Sequence, residues 1–181
     1  MLKSKLRNKT LQIRENANAK NIKIDFNKIL NLFNKNKIPK KSIGGYYPVN
    51  FEIDDLDILS EFEKRKHNIS LPKIKKNFDM DFYKWSFSDP LKINKYGIPE
   101  PDSKILVYPD VLLVPLVAFD KNLNRLGYGG GYYDRLIDKL QKKKKILKIG
   151  LALSAQKINK VPINKYDQKL DYIITNKYIL K

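Results

Sequence analysis

Apolar and polar positions change period repeatedly along the chain, and each change marks a predicted element. Leu2, Leu6, Ile13 and Ala17 recur at helical spacing, which predicts an amphipathic helix over residues 2–18. Phe26, Ile29, Leu30 and Phe33 give a second helix its buried side, with Asp25 as N-cap and Pro39 as the stop. Ile43 to Val49 reads as a short strand running into a loop. Leu56, Ile58, Leu59 and Phe62 form a third helical stripe, capped by Asp54 or Asp55. Ile69 to Leu71 is a strand that Pro72 is expected to stop, and Asp81 to Phe87 alternates like another. Tyr96 to Pro101 holds Glu100 between two prolines, so a rigid loop is expected there. Lys104 to Leu116 supplies one or two buried strands, Ile146 to Leu153 another, and Tyr172 to Thr175 the last.

The stretch Val111 to Leu136, VLLVPLVAFDKNLNRLGYGGGYYDRL, organises the rest. A run of Val and Leu predicts a fully buried strand, and the pattern then turns polar towards Arg125. Four of the chain's eight glycines follow within five positions, at Gly127, Gly129, Gly130 and Gly131. A helix is expected from Tyr132 to Leu140, with Leu136, Ile137 and Leu140 inward. Strands and helices alternate without repeat or linker, which predicts one α/β domain over 1–181. Its expected architecture is a three-layer α/β/α, Rossmann-like fold with a largely parallel sheet.

Composition changes this picture little. The 181 residues contain no cysteine, which excludes disulfides and thiolate metal sites. His67 is the sole histidine and gets no metal role. MLKSKLRNKT has no signal-like apolar core and no segment reaches transmembrane length, so a cytoplasmic monomer with no membrane partner is expected. A net charge of +18 suggests a basic nucleic-acid-binding protein as the alternative reading. The excess is almost all lysine, 32 against 5 arginines, and is spread from end to end like compositional drift, so no nucleic-acid partner is expected. In that background the arginines are informative, because lysine does not replace a planar fork at a bidentate anion site. Arg125 and Arg135 bracket the glycines, and Lys3, Arg7 and Arg14 share one face of the first helix.

GYGGG after a buried strand matches neither the Walker pattern nor GxGxxG, yet glycines followed by a helix start form an anion cradle. Asp134 lies directly beyond it, where a magnesium ion would reconcile a carboxylate with bound phosphates. Asp134 also reads as a first-turn helix carboxylate favoured by the dipole. The residues alone stop at a phosphate-binding α/β domain.

RLGYGGGYYDR preceded by VPLVAFD resembles the signature of the 5-formyltetrahydrofolate cyclo-ligases, also called methenyltetrahydrofolate synthetases. The resemblance extends from Lys3-x-x-Leu6-Arg7 through Tyr47 to Glu52, Trp85 and Gly97 to Pro101, then beyond the signature through Gly150-Leu151-Ala152 and Val161-Pro162 to Asp167 and Asp171. It implies ATP- and Mg²⁺-dependent conversion of 5-formyltetrahydrofolate to 5,10-methenyltetrahydrofolate, with release of ADP and phosphate. It further implies phosphorylation of the formyl oxygen and ring closure by N10. By the same resemblance Lys3, Arg7, and Arg125, Leu126, Gly127, Tyr128, Gly129, Gly130, Gly131, Tyr132 and Tyr133 contact ATP. Arg125 and Asp134 are the catalytic candidates, and Asp134 and Asp167 the metal carboxylates. Tyr47, Glu52, Trp85 and Glu100 are expected on the folate, Trp85 by stacking. Relatives often carry lysine at the position of Gly130, so Arg125 or Lys121 would supply that phosphate contact. Asp134→Ala is expected to abolish turnover and leave thermal stability nearly unchanged.

Overall fold

The computed structural model describes residues 2–17, 22–35 and 42–181. It opens with α1 (Leu2–Asn16), α2 (Phe26–Lys35), β1 (Ile43–Gly44), α3 (Leu56–Lys64), β2 (Ile69–Ile74) and β3 (Met80–Lys84). Next come β4 (Leu91–Ile93), β5 (Pro99–Pro101), β6 (Leu106–Val107), β7 (Val111–Pro115), β8 (Ala118–Phe119) and β9 (Arg125–Leu126). The chain ends with α4 (Tyr132–Gln141), β10 (Leu147–Ala152), β11 (Tyr172–Thr175) and β12 (Ile179–Leu180).

One sheet carries the fold, in the order β12-β11-β10-β7-β1-β2-β3-β6. The five middle strands pair in parallel, and antiparallel strands close both edges. Alternation along β7 sorts the core: Val111 and Leu113 join the cluster under α2 and α3, while Leu112 and Val114 join the cluster under α4. Two covered faces explain the nearly unbroken apolar run. The layers are therefore α/β/α, as the sequence predicts.

Ranked by sequence, the parallel strands lie in the order 2-1-3-4-5, with the reversal between β1 and β7. In doubly wound sheets ligands bind beyond the carboxyl ends of the strands at that reversal. Tyr46 and Tyr47 leave β1 there and Leu116 leaves β7. Helix α1 packs across this end against β8 and the 3-10 turn Ser154–Gln156.

Two expectations change. Pro72 does not stop β2, which runs on to Ile74. Trp85 N–H donates to the Ile69 carbonyl, so Ile69, Leu71 and Lys73 face β3 and the Pro72 nitrogen faces the other side. That side faces β1, whose last ladder bond is Gly45 N–H to Ser70 O; Pro72, lacking an N–H, ends the β1 pairing there without ending β2. Pro99 to Pro101 is likewise a strand, paired with β4. Asn94 N–H donates to Ile98 O in the turn, so the bonded position is Lys92–Glu100, and both prolines fall on residues whose N–H would point away. At the expected helix starts Asp25 and Asp54 accept from the Asn27 and Leu56 N–H groups, and of the pair Asp54 and Asp55 it is Asp55 that turns inward, to Tyr46 N–H. Pro39 lies outside the described residues.

Candidate active site

A cavity of about 1100 Å³ opens at the reversal point. One wall is the glycine loop. The β8–β9 hairpin delivers Arg125 and Leu126 buried, and the chain then loosens through the glycines into α4. Gly129 (φ +107°) and Gly131 (φ +67°) hold backbone shapes that residues with a Cβ rarely adopt. The first N–H groups of α4 have no intrahelical acceptor and start at this loop.

Cations converge on the loop from remote segments. Arg7 Nε donates to the Gly127 carbonyl at 2.7 Å, and its guanidinium lies 3.2–3.4 Å from where a Cβ on Gly129 would stand. Arg125 Nη2 donates to Asp134 Oδ1 at 2.7 Å, and Lys3 Nζ pairs with Asp167 Oδ2 at 2.7 Å. Burial pulls the Arg125 pKa below its ordinary value, while the charges of Asp134, Tyr133 and Asp167 oppose that shift. Asp134 Oδ1 also accepts from Gln168 N–H, and Asp167 Oδ2 from Asn164 N–H. Among the described residues the second oxygen of each carboxylate accepts no hydrogen bond.

The opposite wall is the loop after β1. Glu52 is buried there, and Oε2 accepts from Val49 N–H at 2.9 Å. Burial pushes its pKa up to about 7, against the hydrogen bond from Val49 and the charge of Arg14. The Tyr133 hydroxyl reaches the same region, buried and without a hydrogen-bond partner among the described residues. Burial raises its pKa well above the ordinary tyrosine value.

Lys3, Arg7, Tyr47, Glu52, Arg125 to Asp134, and Asp167 all line this one cavity. Two expected residues do not. Trp85 is a core residue of the α2–α3 face whose indole N–H donates to the Asp89 carbonyl, and its ring packs against Phe87 rather than into the cavity. Glu100 is buried behind the wall, accepting from Ile74 N–H and Asn94 Nδ2, so it anchors the β4–β5 hairpin. That hairpin instead offers Tyr96, whose hydroxyl meets that of Tyr132 at 2.9 Å over the mouth. Near Gly130 the cation is Arg135, donating to the Gly130 carbonyl at 2.6 Å; Lys121 is absent from the lining. The sequence assigns Arg14 no separate role; its only signals there are the scarcity of arginine and the face it shares with Lys3 and Arg7.

Comparison with known proteins bears on the family and the fold. Residues 1–176 match the model of the 5-formyltetrahydrofolate cyclo-ligase family. The chain is 34% identical over 138 residues to a 5-formyltetrahydrofolate cyclo-ligase of Haemophilus influenzae, covering 72% of this chain and 73% of that protein. Its structure is similar to the NMR structure of a 5,10-methenyltetrahydrofolate synthetase from Aquifex aeolicus, with a TM-score of 0.78 and 31% identity over 100% of this chain and 93% of that one. A 5,10-methenyltetrahydrofolate synthetase from Mycoplasma pneumoniae gives a TM-score of 0.71 and 29% identity over 97% and 99% of the two chains.

Proposed function

The chain belongs to the 5-formyltetrahydrofolate cyclo-ligase family, and we propose that the cavity at the sheet reversal is its two-substrate site. ATP would lie against the glycine loop with Lys3, Arg7 and Arg125, and the pterin of 5-formyltetrahydrofolate against Tyr47 and Glu52. The observation that carries this reading is the convergence of both walls on one cavity.

The formyl oxygen attacks the γ-phosphorus as the bond to ADP breaks. N10 then attacks the activated formyl carbon and loses its proton, and the carbon–oxygen bond breaks to release phosphate and leave the methenyl ring. No protein nucleophile is required. Catalysis is positioning and charge stabilisation, supplied here by Arg125 and the loop N–H groups. Glu52 pairs with pterin donors, and Tyr128, Tyr132 and Tyr133 wall the reacting groups from water.

Magnesium fits the donor set. Asp134 and Asp167 each keep one carboxylate oxygen unbonded among the described residues, and magnesium takes one or two carboxylates alongside substrate phosphates. Bound there, the ion would neutralise charge on the transferring phosphoryl group.

Purified protein mixed with 5-formyltetrahydrofolate and Mg-ATP is expected to accumulate methenyltetrahydrofolate, followed by its absorbance. Well-folded protein that makes none would reject the proposal. A narrower test addresses the loop. Gly129→Ala forces a Cβ against the Arg7 guanidinium at 3.2 Å and strains a φ of +107°. With folate saturating, the KM for ATP is expected to rise roughly tenfold, equivalent to about 1.4 kcal/mol. An unchanged KM would separate Arg7 from the nucleotide.

A further inference from the structure

Arg14 lines neither wall, yet it touches both. It lies on α1 with 1% of its surface exposed, and its guanidinium reaches three separate segments. Nη1 donates to the Leu116 carbonyl just past β7 at 3.3 Å. Nη2 donates to the Asn50 carbonyl, in the loop that carries Glu52, and to the Tyr128 hydroxyl, in the glycine loop. Arg14 therefore bonds the proposed folate wall and the proposed ATP wall through the same nitrogen.

Two features argue against a merely space-filling role. A buried guanidinium is costly to keep without a full set of partners, and Arg14 Nε has none among the described residues. Asn50 (φ +48°) and Phe51 (φ +60°) also form a consecutive left-handed pair beside Glu52. Non-glycine residues hold such shapes only where surrounding contacts impose them. The bond from Arg14 is one such contact, and its other arm is attached to a loop whose glycines leave it free to adjust.

We infer that Arg14 is a positioning residue that ties the glycine loop to the Asn50–Glu52 turn, so that binding of either substrate favours binding of the other. The inference rests on the two-substrate reading above. Arg14 sits behind Tyr128 and Asn50 and outside the cavity lining, so it acts through them. Closing the glycine loop on a triphosphate fixes the Tyr128 hydroxyl, and through Arg14 the turn bearing Glu52. Such coupling is reciprocal and commonly amounts to 5–150-fold in affinity.

The test measures the Kd of 5-formyltetrahydrofolate for the full-length protein, with and without saturating Mg²⁺ and a non-hydrolysable ATP analogue. Wild type is expected to bind folate about tenfold tighter with the analogue present. In Arg14→Lys this factor is expected to fall below about twofold, with KM raised for both substrates and kcat at saturation within a few-fold, and in Tyr128→Phe the factor is expected to fall likewise. Tyr128→Phe keeps the ring and leaves Arg14 its two carbonyls; because the Tyr128 hydroxyl also interacts with Glu52 directly, this variant reads the link between the two walls as a whole even if Arg14→Lys does not fold. A purely structural role would lower the melting temperature and leave the factor intact. Folded variants that keep the tenfold factor, or a wild type that turns over without coupling, would overturn the inference. A wild type that binds neither ligand would remove the two-substrate reading and this inference together, a result distinct from loss of coupling in the variants alone.

Discussion

Asp134→Ala is expected to remove both the turnover of this protein and a large part of its stability. Asp134 Oδ1 accepts from Arg125 Nη2 at 2.7 Å and from Gln168 N–H at 3.0 Å, with side chains only 4% exposed for Arg125 and 19% for Asp134. Removing one member of a buried ion pair strands the other, at a cost of about 3–5 kcal/mol. For a chain of this length each kcal/mol moves Tm by about 2–4 °C, so a fall of roughly 6–20 °C is expected by calorimetry. The sequence alone shows Asp134 in the first turn of a helix and not its partner, which is why it leads to the opposite expectation for stability. Asp134→Asn separates the two effects. The amide keeps an acceptor for Arg125 and Gln168 but not the charge, so the loss of stability is smaller than in Asp134→Ala, while kcat falls roughly 10²–10³-fold. Full turnover in Asp134→Asn would take the carboxylate out of the chemistry. An unchanged Tm in Asp134→Ala would mean that Asp167 takes over as counter-ion to Arg125.

The same contrast between pattern and partner explains how much of the molecule can be read from its sequence. Val111 to Leu116, Ile146 to Leu153 and Tyr172 to Thr175 read as buried strands because burial on both faces leaves an apolar run that polar sites cannot interrupt. The glycine loop and the helix after it are equally local signals. Pro72, Pro99 and Pro101 mislead because a proline reports only on its own nitrogen. Which neighbour that nitrogen faces depends on the phases of the β2–β3 and β4–β5 ladders, neither of which is local. The site divides in the same way. Arg7 meets Gly127 across 120 positions, and the residues suggest this only through a family resemblance. Trp85 shows the limit of that route, since a large aromatic satisfies a core or a ligand equally well and burial decided for the core.

Glu52→Gln is expected to stabilise the protein at neutral pH while weakening its grip on folate. Burial raises the Glu52 pKa from 4.5 to about 7, so the folded state holds this proton across a range in which the unfolded chain has lost it. The associated stability is fully present below pH 4.5 and is lost as the pH rises through 7, since the unfolded state binds fewer protons in that window. Holding the side chain ionised above pH 7 therefore costs roughly 3 kcal/mol, from a pKa rise from 4.5 to about 7 at ~1.36 kcal/mol per pH unit. Glutamine avoids this cost and retains an acceptor for Val49 N–H. Asp55, also buried and raised by burial, is common to both proteins and largely cancels in the difference. Denaturant melts of wild type and variant should thus coincide near pH 4 and separate between pH 4.5 and 7, after which the gap stays constant with the variant the more stable. A gap independent of pH would show that Glu52 does not titrate in that window. Catalysis is expected to move the other way, because a carboxylate facing pterin donors contributes about 1.5–3 kcal/mol that an amide cannot match, a fall of roughly 10–10²-fold in kcat/KM for 5-formyltetrahydrofolate. With the KM for ATP unchanged, the loss would belong to the folate wall. On the proposed reading, the stability surrendered by burying Glu52 is the cost of having a carboxylate ready for the pterin.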